Sequence, residues 1–270
     1  MTNTFETIKP LDQRIAQCVD YYYLDVKPNN SLTEFECFPH HNNTISIYRS
    51  HVRASNRDMI YDASAPPFQI FTPVREEVLT VRQVGKVHRI VIVFHVLGIQ
   101  QFFRKLNFAD YIVDYPFFRP LELNQLFETQ DSRTIGLLLD EFLAKRFQAF
   151  EHATLEKAVQ HVFSNFEEFS VEHLAAELSI SRRHLNRLFK GHFGVSIKKF
   201  HRIILLRKLL EMKLFDNPTE SFTRLAYELN YADQAHLNKA FKDLTHNSPN
   251  QFLRKGTLLG NEDTFWHIVK

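Results

Sequence analysis

The chain has 270 residues, of which 44% are hydrophobic, 13% aromatic and 24% charged, with a formal net charge of +2. That length suits two domains, each able to bury a core, and the small net charge excludes a global polycation. No apolar run reaches 18 residues, and the longest, 90–98, is broken by His95, so no membrane-spanning helix is predicted. Charge is unevenly placed. Residues 1–150 carry 16 Lys+Arg against 17 Asp+Glu, while 151–270 carry 17 against 14 and nine of the 14 histidines. The sign suits a nucleic-acid-binding C-terminal half. Cys18 and Cys37 lack a CxxC partner, which predicts reduced thiols in a cytoplasmic protein.

Residues 1–97 read mainly as strands: 18–26, 33–38, 44–51, 68–73, 78–84 and 88–96, rich in β-branched and aromatic residues. Pro28-Asn29-Asn30, Asn42-Asn43, Pro66-Pro67 and Gly85 separate several of them. In 44–48, Ile45 and Ile47 should face one way, Ser46 and Tyr48 the other. From Gly98 the period changes: Ile99, Phe102, Phe103 and Leu106 predict a helix. A longer one fits 132–150, with Ile135, Leu138, Leu139, Phe142, Leu143 and Phe147 on one face and Asp131 or Ser132 as its cap. Its wide stripe predicts packing on the strands or a dimer contact. After 148–154 all reads helical: 155–166, 171–178, 181–191, 196–213, 220–229, 233–243 and 248–255, with Ser170, Ser181 and Asp233 at cap positions.

The expected fold class is therefore α+β. An N-terminal antiparallel β-barrel or cupin-like domain with helices occupies 1–150. An all-α domain of two helix-turn-helix modules joined by a long helix occupies 151–256, and 257–270 form an extension. The modules show as a repeat. Leu174-Ala175-Ala176-Glu177-Leu178 and Leu225-Ala226-Tyr227-Glu228-Leu229 precede His184-Leu185-Asn186-Arg187-Leu188-Phe189-Lys190 and His236-Leu237-Asn238-Lys239-Ala240-Phe241-Lys242. Leu185, Leu188 and Phe189, like Leu237, Ala240 and Phe241, commit one face of each second helix to a core. The free face of the first carries Arg182, Arg183, Asn186, Arg187 and Lys190. That of the second carries Gln234, Ala235, His236, Asn238, Lys239 and Lys242. Arg suits guanine O6/N7 and Asn suits adenine N6/N7. A basic helix face alone is commonly just solvated; two such faces at equivalent positions on a duplicated scaffold point to double-stranded DNA. The intervening helix would span about 27 Å at 1.5 Å per residue, of the order of one DNA turn once flanking offsets are added.

Residues 151–255 resemble the DNA-binding domain of AraC/XylS-type transcriptional regulators. The matching residues are Leu174-Ala175, the run from Ser181 to Lys190, Gly194, Leu225-Ala226, Phe241-Lys242 and Ser248-Pro249. The resemblance implies promoter binding by a non-enzymatic regulator. It also implies activation through contact with RNA polymerase, and often a homodimer formed by an N-terminal effector domain. Base contacts transferred by position fall on Arg183, Asn186 and Arg187, then on Gln234, Ala235, His236, Asn238 and Lys239. The chain departs from the family at Asn230-Tyr231, where Gly-Phe is usual, at Ser179 in the first turn, and at Ala235, which cannot hydrogen-bond a base. The N-terminal half shows no nucleophile motif or phosphate loop, and no cofactor is expected. Its aromatics, including Tyr21-Tyr22-Tyr23 and Phe117-Phe118, could line a small-molecule effector pocket or simply fill a core. The alternative reading is a cupin-like metal enzyme with an appended helical domain, its ligands drawn from His40-His41 with His51, His88 or His95.

Overall fold

The computed structural model describes residues 3–55, 57–103, 106–109, 112–113, 115–260, 262 and 264–269. Two six-stranded sheets form a sandwich, ten strands from the N-terminal half and two from residues 256–268. The first runs β1 (Thr4–Ile8), β2 (Val19–Lys27), β9 (Val87–Phe94), β4 (Asn43–Tyr48), β7 (Phe68–Thr72) and β10 (Ile112–Val113). The second runs β11 (Gly256–Leu258), β12 (Phe265–Ile268), β3 (Leu32–Cys37), β8 (Leu79–Val84), β6 (Asp58–Tyr61) and β5 (His51–Arg53). Neighbours are antiparallel except β6 and β8, which pair parallel. The expected antiparallel β domain is present; among the described residues its two sheets stay open as a sandwich and do not close into a barrel. Its rim strands, two to five residues long, offer too few ladder bonds to join one sheet to the other.

The first sheet is covered on both faces. Ile45, Ile47, Ile90, Ile92 and Tyr22 point into one cluster with Ile15 of α1 (Gln13–Ala16), Leu126 and Phe127 of α2 (Pro120–Glu128) and Ile135, Leu139 and Leu143 of α3 (Ser132–Ala144). Tyr21, Tyr23, Tyr48, Val91 and Val93 point the other way, toward Phe35, Val81 and Trp266 of the second sheet. The alternation read in 44–48 is present, but every residue of β4 is buried because both faces are used. Asp131 caps α3 through the Thr134 amide. Asp140, buried in α3, accepts from the Leu11 and Asp12 amides and from the Tyr22 hydroxyl.

Two predicted helices are corrected. Among the described residues of 99–106, Ile99–Gln101 coil as a single 3₁₀ turn and Phe102 and Phe103 do not continue it as a helix. Phe102 packs on Phe94 and Phe147 while Phe103 packs on Tyr115 and Phe117, so burial is needed on two sides, not along one stripe. The helix expected over 132–150 stops at Ala144, because Gln148 donates its amide to the Gln101 carbonyl and Phe150 donates its own to the Gln101 side chain.

The helical half comprises α4 (Ala153–Ser164), α5 (Val171–Glu177), α6 (Arg182–Phe193), α7 (Ile197–Glu211), α8 (Phe222–Glu228), α9 (Gln234–Thr245) and α10 (Pro249–Lys255). Ser170, Ser181 and Asp233 cap α5, α6 and α9 through the amides of His173, His184 and His236. A π-helical turn over Met212–Asp216 follows α7. The buried residues of α7 wrap round it. Ile197, Phe200, Ile203 and Ile204 belong to the core of the first module, and Leu206, Leu209 and Leu210 to that of the second. Among the described residues no helix is long and apolar enough to cross a membrane.

Burial holds five histidines below their ordinary range: His51 and His88 down to about 4, with His192, His201 and His267 also lowered. Each is harder to protonate folded than unfolded, so stability is lost as pH falls below about 6.5. Melting temperature should decline from pH 7 to pH 5. It should decline less steeply in a His51→Gln/His88→Gln chain; parallel curves would contradict this assignment.

Candidate nucleic-acid interface

Each module ends its first helix with the same device. Ser179 (φ 55°) and Asn230 (φ 56°) take the left-handed conformation. The Ile180 amide then donates to the Ala175 carbonyl, and the Tyr231 amide to that of Ala226, the six-to-one bond of a Schellman turn. Ala175 and Ala226 are the small residues where paired helices meet, and both are buried. Asn230 also donates its side chain to the Glu167 carbonyl at 2.8 Å, so the second turn rests on the first module.

The second helices, α6 and α9, are 12 residues each. Leu185, Phe189 and Phe193 anchor α6, and Leu237, Phe241 and Thr245 anchor α9, at i, i+4, i+8. On the opposite face of α6, Arg182, Arg183, Arg187 and Lys190 are exposed and Asn186 is half-buried. They are not equally free. Arg182 Nη1 lies 2.7 Å from Glu172 Oε1, and this contact holds the Glu172 carboxyl below its usual range. Asn186 donates to the Arg182 carbonyl, and Arg187 Nη2 is 3.1 Å from His184 Nδ1. Among the described residues neither Arg183 nor Lys190 has an acidic partner.

On α9, Ala235, His236, Lys239 and Lys242 are exposed, and Gln234 and Asn238 are half-buried. Gln234 Oε1 accepts from Thr223 Oγ1 of α8 at 2.7 Å. His236 meets the edge of Tyr231 at 5.3 Å. The outward faces therefore differ in cation density, as their sequences do.

Sequence reading missed the residues that seat the modules on the sandwich. Arg207, at a core position of α7, donates to the Pro39 and Phe38 carbonyls. Phe38 itself enters the second module's core. A charge on an otherwise apolar stripe, Phe200-Ile203-Arg207-Leu210, was the available signal. Gly194 closes α6 with φ 77°, and a Cβ there would lie 1.9 Å from the Phe108 carbonyl oxygen. The glycine is thus required both by its backbone and by its contact with the first domain. His40 and His41 pack together at 4.6 Å, but among the described residues no group of three His, Cys, Asp or Glu could hold a metal.

A family model described as "Helix-turn-helix domain" matches residues 174–255. The match falls on the two repeated modules, within the stretch that resembles AraC/XylS-type regulators. The chain is 28% identical over 85 residues to the Msm operon regulatory protein of Streptococcus mutans, covering 32% of this chain and 30% of that protein. It is 28% identical over 118 residues to the HTH-type transcriptional regulator MtrA of Neisseria gonorrhoeae, covering 43% and 38%. The match thus spans about a third of the length of these curated relatives. In fold, ToxT from Vibrio cholerae superposes with a TM-score of 0.50 at 13% identity, over 86% of this chain and 97% of that one. The likeness extends the shared architecture beyond the helical half.

Ser179 pays a steric penalty that glycine would not. Ser179→Gly should stabilise the chain by about 0.5–1 kcal/mol, seen as a raised melting temperature. Asn230→Gly should gain less, because it forfeits the Glu167 contact. Equal gains at both turns, or none at Ser179, would contradict this reading.

Proposed function

We propose that the chain is a sequence-specific DNA-binding transcriptional regulator that lays α6 and α9 into successive major grooves of one duplex. The observation that carries this reading is the shared helix α7. Its two halves lie in the two module cores, and its 15 residues set the modules apart by about 22 Å along its axis, at 1.5 Å per residue. Arg183, Asn186 and Arg187 are the base readers of the first module, flanked by Arg182 and Lys190 on phosphates. Gln234, Ala235, His236, Asn238, Lys239 and Lys242 form the second face, which holds register more than it discriminates, because Ala235 offers only contact with a thymine methyl.

The sandwich is the sensing and dimerisation domain. A cavity of about 90 Å³ lies between its sheets, lined by Tyr21, Tyr23, Ser46, Arg89 and Trp266, and would take a small-molecule effector. Leu121 of α2 and Leu137 of α3 stand exposed, a face suited to a homodimer. In this reading the protein works as an activator through RNA polymerase, as the resemblance to AraC/XylS-type regulators implies, and does so in the cytoplasm beside the DNA. Its task is binding, not catalysis.

Arg183→Ala and Arg187→Ala should each weaken binding to a site selected from random DNA by about 1–3 kcal/mol and relax its base preference. Neither side chain supports a core, so melting should not change. Wild-type affinity should fall steeply with salt. Unchanged affinity and preference in both variants would overturn the groove assignment.

A further inference from the structure

The last strand of the chain is shared between the two domains. β11 leaves α10 without a break and turns into β12, which pairs antiparallel with β3: Trp266 opposite Cys37, His267 opposite Glu36, Ile268 opposite Phe35. The Val269 amide extends this ladder to the Glu34 carbonyl. Because strand side chains alternate, successive residues of β12 enter different cores. Phe265 and His267 turn toward the second module. Phe265 stacks on Phe252 of α10 at 5.1 Å, and His267 Nε2 donates to the Phe252 carbonyl. Trp266 turns into the sandwich, where it stacks on Phe35 at 4.4 Å and lies under the buried Arg89 guanidinium at 5.4 Å. Trp266 thereby forms one wall of the inter-sheet cavity.

The second module needs this strand. Its core is built by the second half of α7 with α8–α10, and Phe38 and Phe265 complete it from the sandwich side. Its remaining covalent link to the first module is α7 and the π-helical turn Met212–Asp216. The first module has no part of β12 in its core. It is seated instead by Val74, by the Gln100 side chain on the His192 carbonyl and by Gly194 on Phe108.

We propose that β12 is a clasp through which the inter-sheet cavity controls the second helix-turn-helix alone. With Trp266 seated, Phe265 and His267 keep the core of that module complete. An occupant of the cavity that displaces Trp266 withdraws them and loosens α8–α10, leaving α5 and α6 in place. The DNA part of this proposal rests on the function proposed above; the clasp itself does not.

The test uses the full chain. Trp266→Ala should speed amide hydrogen exchange in α8–α10 by about ten-fold or more, with α5 and α6 at wild-type rates. Trp266→Phe, which keeps an aromatic ring on Phe35, should stay close to wild type. On DNA selected by the wild-type protein, Trp266→Ala should lose protection of the same groove that Asn238→Ala/Lys239→Ala loses, and keep the other. Equal acceleration in both modules, no acceleration, or equal loss of both grooves overturns the clasp. If the wild-type chain protects no DNA, the proposed function fails, and the exchange comparison still decides the clasp.

Discussion

The structure depends on one constraint: α7 has too little solvent face to belong to a single module. Its first half completes one core and its second half the other, so the modules cannot rotate about each other without exposing apolar surface. At about 25 cal/mol per Å² of such surface, that restraint outweighs any surface ion pair between them, such as Arg202 with Asp243. The buried Arg207 then fixes the same helix to the sandwich. Its guanidinium is committed to backbone carbonyls of Phe38 and Pro39. Removing those acceptors would strand a buried charge, which is why such contacts are costly to break.

The paired turns follow from this arrangement. Each module must bring two helices close and then reverse sharply, and each does so with an alanine at the crossing and a left-handed residue after it. That the chain uses Ser179 and Asn230 rather than glycine shows the turn geometry imposed by packing, against local preference. The outward faces are free of that demand and have diverged, one rich in arginine and the other carrying Ala235.

Much of this was legible in the sequence. The repeat, the caps at Ser170, Ser181 and Asp233, and the alternation in 44–48 all come from short-range rules, and the structure contains them. Long-range demands were not legible. The 99–106 segment has helical spacing, yet Phe102 and Phe103 are drawn to different partners. β1, β6, β10 and α2 carry weak local signals and gain their form from neighbours. The tail around Trp266 could not be placed from the sequence at all, because β12 exists only where β3 offers an edge some 230 residues earlier in the chain. The exposed cationic face of α6 was legible as residue types; that its cations are not equally free, with Arg182 drawn to Glu172, needed coordinates.

A spacing experiment on DNA bears most directly on the two-groove account. In a selected site, inserting about five base pairs between the two protected segments turns them to opposite faces of the duplex, half of a turn of roughly 10.5 base pairs. Because α7 is locked in both cores, the modules cannot follow. Affinity should fall to that of the first segment alone, and protection of the second should vanish. Undiminished affinity, with both segments still protected, would contradict a rigid two-module reader.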